Sequence, residues 1–200
     1  RILARGSNQR AMYLAAIERN GQVLSSFKLP PGVVTGSRIS ADALWLCTAS
    51  SGLLSWNGTT LISHRQAGES GGQCSSVLAD RQDRVWAGFS SGGVALHDHG
   101  SVQAFTERDG VAPGLVWQIV QGNDDAVWFA TSGGVSRYQH GRFTSVTTAH
   151  APITGVVPIL VEDALGYVWL GVHSGAALMR FHAGEMDTIE KDPRHRLADG

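Results

Sequence analysis

Asp163-Ala164-Leu165-Gly166-Tyr167-Val168-Trp169-Leu170-Gly171 is a turn feeding an apolar run around a tryptophan, and its outline is found at four places in the chain. Trp45, Trp86, Trp128 and Trp169 stand 41, 42 and 41 residues apart. Each follows an apolar residue: Leu44, Val85, Val127 and Val168. Two positions earlier stands a turn-former: Asp42, Asp83, Asp125 and Gly166. After each Trp comes a Ser/Gly cluster: Ser50-Ser51-Gly52, Ser91-Gly92-Gly93, Ser132-Gly133-Gly134 and Ser174-Gly175. A second apolar stretch then runs into a polar turn closed by Gly58, Gly100, Gly141 or Gly184. Such self-similarity at a fixed period marks a repeated structural unit.

A unit of about 40 residues with three internal turns divides into four short strands, the content of one blade of a β-propeller. In the second complete unit the strands are expected at Cys74–Ala79, Arg84–Phe89, Val94–His97 and Val102–Thr106. The 25 glycines follow from so many hairpins, since tight turns need positive φ. Helix is hard to place, because few stretches keep a 3.6-residue apolar period without meeting Gly or Pro. The one helical candidate is Ala11 to Arg19, but its Tyr13, Ala15 and Ile17 also alternate as a strand does. Asn20-Gly21 then reads as a hairpin and Val23 to Leu29 as an outer strand. The expectation is an all-β propeller of four-stranded antiparallel blades: one domain over 1–200, with complete blades at 32–64, 73–106, 115–147 and 156–190 and a partial one at 1–29. Both ends look cut, as in an open arc of a larger ring. Trp45, Trp86, Trp128 and Trp169 are expected to fill the wedges between blades, each burial contributing about 2–3 kcal/mol.

Sixteen basic and seventeen acidic residues leave a net charge of −1 with no run of like sign. That argues against nucleic acid or an anionic membrane as a partner of these residues. The hydrophobic share is 42%. No apolar run approaches the length of a membrane span. No phosphate-cradling glycine loop and no Cys-x-x-Cys are present, so no cofactor is expected. Ser-x-Gly patterns occur only in turns repeated unit after unit, whereas a nucleophile is needed once, beside a base; no catalytic group is expected.

These repeats resemble the two-component regulator propeller repeat: an apolar strand, Asp-x-x-Gly, an apolar residue, Trp, a hydrophobe, Gly-Thr, then Gly and Leu or Val. The last unit comes closest, with Asp163, Gly166, Val168, Trp169, Leu170, Gly171 and Gly175, and the resemblance covers roughly residues 32 to 185. It implies a sensory propeller, periplasmic or otherwise extracytoplasmic, ahead of a membrane span and a histidine kinase or diguanylate cyclase. The resemblance carries no ligand identity. The chain is expected to be a non-catalytic sensor that binds a small molecule, a glycan fragment or a partner domain, with a homodimer formed through the parent protein. A propeller enzyme, such as a lyase or glycan-cleaving protein, and a protein-interaction scaffold are the alternatives.

Rigid scaffolds carry binding residues on their loops. The blade-joining loops hold His64, Arg65, Gln66 and Glu69, then Glu107, Arg108 and Asp109, then Thr147, Thr148 and His150. His173 lies in a turn expected on the same face, and Trp117 is an aromatic that breaks the repeat on an inner strand, opposite Val34, Ser75 and Pro158. The candidate ligand contacts are therefore His64, Arg65, Arg108, Asp109, Trp117, His150 and His173. His97 and His99 are two apart, as strand-borne metal ligands would be, but the equivalent turns carry Asn57, Gln139, His140 and His182, so they read as an exposed hairpin and no metal is expected. Cys47 aligns with Gly88, Ala130 and Gly171, and Cys74 with Val33, Val116 and Val157. Both positions ask for a small or apolar group, so both cysteines are expected to be reduced.

Overall fold

The structure is a computed structural model that describes residues 2–8, 11–17, 22–29, 34–40, 43–64, 73–146, 153, 155–172, 177–182 and 185–189. Among the described residues nineteen strands form five antiparallel sheets, each built from strands consecutive in the chain. The first sheet has three strands, β1 (Ile2–Asn8), β2 (Ala11–Ile17) and β3 (Val23–Lys28). The second holds β4 (Val34–Ser40), β5 (Ala43–Thr48), β6 (Gly52–Trp56) and β7 (Leu61–Ser63). The third holds β8 (Cys74–Ala79), β9 (Val85–Phe89), β10 (Val94–Asp98) and β11 (Ser101–Phe105). The fourth holds β12 (Val116–Gln121), β13 (Val127–Thr131), β14 (Val135–Gln139) and β15 (Arg142–Ser145). The fifth holds β16 (Ile159–Glu162), β17 (Val168–Val172), β18 (Ala177–His182) and β19 (Glu185–Ile189). Strand β1 is one that the sequence did not single out, because Arg5, Gly6, Ser7 and Asn8 break its apolar alternation. Among the described residues no helix is long and apolar enough to cross a membrane.

The chain forms two compact units, Arg1–Ala104 and Phe105–Gly200. In the first, the cross-strand pairs Trp45↔Ser55 and Cys47↔Leu53 lie on one face of the β4–β7 sheet, and Leu44↔Trp56 and Leu46↔Leu54 on the other, because side chains alternate and partners share a face. Both faces are covered. Leu44, Leu46, Leu54 and Trp56 cluster with Leu29, while Cys47 and Leu53 pack with Cys74, Val77, Val85, Ala87, Phe89 and Ala95 of the next sheet. In the second unit Trp128, Ala130 and Val135 meet Val157, Leu160, Val168 and Leu170 of the following sheet. Second strands are therefore covered on both faces, and every residue of β9 and of β13 is buried. Outermost strands β11 and β15 are largely exposed. A strand covered on two faces cannot show the polar alternation of a half-buried one.

Trp86 and Trp169 are held by the turn before them. Asp80 Oδ1 accepts from the amides of Gln82 and Arg84 at 3.0 and 2.9 Å, and its Oδ2 accepts the Trp86 indole N–H at 3.0 Å. Asp163 repeats this with Leu165, Tyr167 and Trp169 at 2.9, 3.0 and 2.8 Å. The Trp169 indole, ahead of the two amides, holds the Asp163 carboxyl below its ordinary range. At the third turn residue, Asp83 and Asp125 both adopt φ 62° where the last unit has Gly166 at φ 83°. Asp tolerates that left-handed conformation better than most residues. In the third repeat the place of Asp80 is taken by Gly122, and Trp128 Nε1 is buried with no hydrogen-bond partner.

Gly134 shows why the Ser/Gly turns are built as they are. It sits at φ 145°, and a Cβ there would lie 2.3 Å from the Ile153 carbonyl oxygen. Gly134→Ala should destabilise the second unit by about 1–3 kcal/mol, read from urea unfolding. An unchanged midpoint would show that the turn relaxes freely.

The cysteine expectation is wrong. Cys47 and Cys74 form a disulfide across 27 residues, with a Cα–Cα distance of 5.1 Å, and it joins β5 to β8. Aligning repeats assigned the two residues to different strands of different units and so separated them. Stacking of consecutive sheets brings the second strand of one against the first strand of the next, a contact that register along a repeat does not contain.

Candidate functional site

Of the seven candidate contacts, Arg65, His150 and His173 lie outside the described residues. The remaining four fall into three environments. Arg108 and Asp109 belong to a 3-10 turn over Glu107–Asp109, capped by Thr106. Asp109 Oδ2 accepts from the Thr106 amide at 2.8 Å and from the Thr106 hydroxyl at 3.0 Å, and Gly110 closes the turn at φ 98°. Asp109 thus holds the loop, whereas the Arg108 side chain is exposed.

Trp117 is positioned by a bulge. Pairing of β12 with β13 jumps from Val116↔Thr131 to Gln118↔Ala130, so Trp117 has no partner residue and its side chain is 47% exposed. Equivalent jumps flank Thr35 in β4 and Ser75 in β8. The bulge therefore aligns Trp117 with Thr35 rather than Val34, the one-residue difference arising from the shorter β4–β5 hairpin. Bulges re-aim a side chain away from its sheet, and this one exposes an indole. On the adjoining first strand β16, Ile159 and Val161 are also exposed, and Gln118 accepts from the Leu160 amide at 3.0 Å.

His64 is not a free loop residue. Its Nε2 lies 2.7 Å from Ser55 Oγ, and its ring stacks on Trp45 at 4.6 Å between centroids, inclined 28°. His97 completes the group, edge-on to His64 at 5.1 Å and 5.4 Å from Trp45. The exposed hairpin expected at His97 is overturned. His97 is 7% exposed, because its partner Val85 and the other residues of that face turn toward the preceding sheet. His99, by contrast, is exposed at φ 46° and pairs with Asp98 at 2.7 Å. Burial lowers the affinity of His64 for protons; burial first, and the charge of His64 second, push His97 down to about 4. Both imidazoles are neutral at pH 7. Ser55, though in contact with a base, is buried between sheets where no substrate carbonyl reaches it. Nothing in the spacing of the sequence places His64 beside Trp45; the two meet only in the folded strand order.

No protein-family description matches this sequence, and no curated protein matches it either. Solved structures do. The extracellular domain of the putative hybrid two-component system BT3049 from B. thetaiotaomicron matches with a TM-score of 0.65 at 14% identity, over 90% of this chain and 27% of that one. Virginiamycin B lyase from Staphylococcus aureus matches with a TM-score of 0.66 at 14% identity, over 94% of this chain and 73% of that one. YCF48 bound to D1 peptide matches with a TM-score of 0.56 at 12% identity, over 92% of this chain and 65% of that one. The chain is a β-propeller. It spans about a quarter of the length of the BT3049 domain. At these identities the likeness is one of fold, and the four-stranded sheets are propeller blades with β4, β8, β12 and β16 as their first strands. The propeller assignment explains why Trp45 and Trp128 each pack on the blade that follows, as wedge-filling rings.

Proposed function

We propose that this chain is the extracytoplasmic sensory propeller of a bacterial signalling protein, binding a small molecule or glycan fragment and relaying its presence to a kinase or cyclase elsewhere in the parent protein. The observation that carries this reading is the disulfide between Cys47 and Cys74, which belongs to an oxidising compartment, in a fold shared with an extracellular two-component domain. Exposed Trp117 supports stacking of a ring-bearing ligand, and Arg108 supplies an exposed cation on a blade-joining loop. Dimerisation through the parent protein is part of the same reading.

The test is a reporter for the output module, read in cells exposed to a panel of sugars and small metabolites. Trp117→Ala and Arg108→Ala should each lower the response at least severalfold while leaving the expressed amount unchanged, since changes at exposed positions usually cost under about 0.5 kcal/mol. A response that survives both substitutions would remove these residues from the binding face, and one that survives deletion of the propeller would remove the sensory role. The likeness to virginiamycin B lyase supports a second reading, a propeller enzyme. Conversion of quinupristin by the purified chain would favour it over the first.

A further inference from the structure

The wedge between the β4–β7 and β8–β11 blades is fastened twice. Toward the first strands it is closed covalently by Cys47–Cys74. Toward the outer strands it is closed by Trp45, His64 and His97, with Ser55 bonded to His64. Nothing about the disulfide responds to pH. The second fastening is made of two imidazoles in contact, and it holds only while they are uncharged.

The surroundings are unusually poor in charge. Strands β5 to β9 and β11 carry no Lys, Arg, Asp or Glu, and β10 carries only Asp98. That carboxylate is turned to the exposed His99. Asp80, at the end of β8, is bound by Arg84 at 2.7 Å and by Trp86. Arg38, opposite Trp45 on β4, is exposed and is another cation. His97 Nε2 is buried without a hydrogen-bond partner. Among the described residues a proton placed there meets no anion and no acceptor, and it stands beside the ring of His64. Trp45 stacks on His64 at 4.6 Å and 28°, whereas His97 meets the same ring tilted by 55° at 5.4 Å, a poorer geometry for holding a charge.

We propose that His64 and His97 form an acid-released latch between these two blades, which parts the outer edges of the wedge on protonation while the disulfide keeps the inner edges joined as a hinge. A group whose proton affinity is lowered by folding stabilises the closed form above its free value and loses that contribution as pH falls. For His97 the window runs from 6.5 down to about 4, with no further loss below. Between pH 7 and pH 5 the closed-to-open ratio of the wedge should therefore fall about twentyfold. The device is independent of any ligand at Trp117, so it stands or falls separately from the sensory reading.

The experiment is hydrogen exchange on the whole chain at pH 7 and pH 5, corrected for the intrinsic rate at each pH. The readouts are the His64 amide, bonded to the Leu53 carbonyl at 2.9 Å, and the amides of β10. Protection should fall by about twentyfold in the native chain, and by far less in His97→Leu, which cannot take up the proton. His99→Gln, at the exposed neighbour, should behave as the native chain does. Equal protection at both pH values, or the same loss in His97→Leu, would overturn the latch. Should His97→Leu fail to fold, a nitrogen-detected titration of His97 in the native chain decides: protonation below pH 5 supports the latch, and protonation near 6.5 overturns it.

Discussion

Trp86→Ala should lower the stability of the first unit by about 3–5 kcal/mol, the usual cost of emptying a large aromatic site that the backbone cannot collapse into. Trp86 is fully buried, on a strand with no exposed residue, and its indole N–H is a donor to the buried Asp80 carboxylate. Truncation removes both the ring and the donor. The two contributions separate in the pair Trp86→Phe and Trp128→Phe. Both keep a buried aromatic ring at the site, but only the first withdraws a hydrogen bond from a buried carboxylate, since Trp128 Nε1 has no partner. Trp86→Phe should therefore cost about 1–2 kcal/mol more than Trp128→Phe, in the range of a hydrogen bond to a charged acceptor. Urea unfolding followed by the remaining tryptophans measures the difference. Equal costs would show that the Asp80 contact is worth nothing beyond ring burial.

Replacement of the disulfide by Cys47→Ala together with Cys74→Val should lower stability by about 3.5 kcal/mol, the loop-closure value for the 27 residues it spans. The replacements are those found at the same places in other blades, Ala130 for Cys47 and Val116 or Val157 for Cys74, so core packing is kept. The urea midpoint should fall on the order of 1–3 M, and the native chain in reducing agent should unfold at the same midpoint as the variant. Free thiols in the oxidised, folded chain, or an unchanged midpoint, would dispose of the bond as a stabilising element. Because Cys47 and Cys74 are 0% and 1% exposed, reduction should require opening of the wedge.

The repeat itself was legible across the four units that carry Trp45, Trp86, Trp128 and Trp169. Trp45, Trp86, Trp128 and Trp169, the turn-formers before them and the Ser/Gly clusters after them set the all-β class, the four-stranded antiparallel blades and the strand order within each blade. These are local properties: hairpin turns need particular residues, and a strand buried on two faces reads as an unbroken apolar run. Even the left-handed turn position could be placed, as Asp83, Asp125 and Gly166 show.

What the linear pattern could not carry is which faces of consecutive blades touch. Cys47 and Cys74 look like unrelated small residues when repeats are aligned, and become bonded partners only when the second strand of one blade stacks on the first strand of the next. His97 reads as part of an exposed hairpin, because its neighbours Asp98, His99 and Gly100 are polar, yet its side chain points into the wedge beside His64 and Trp45. Trp117 was visible as an oddity of sequence, but its exposure comes from a bulge that shifts pairing by one residue. In each case the deciding contact joins residues that no turn or strand period connects. Sequence determined the blade, through turn chemistry and apolar runs that act within about 40 residues; tertiary structure alone decided the disulfide, the histidine pair and the exposed indole, because all three depend on how sheets face each other and how a bulge turns a side chain, and neither is a property of any one segment.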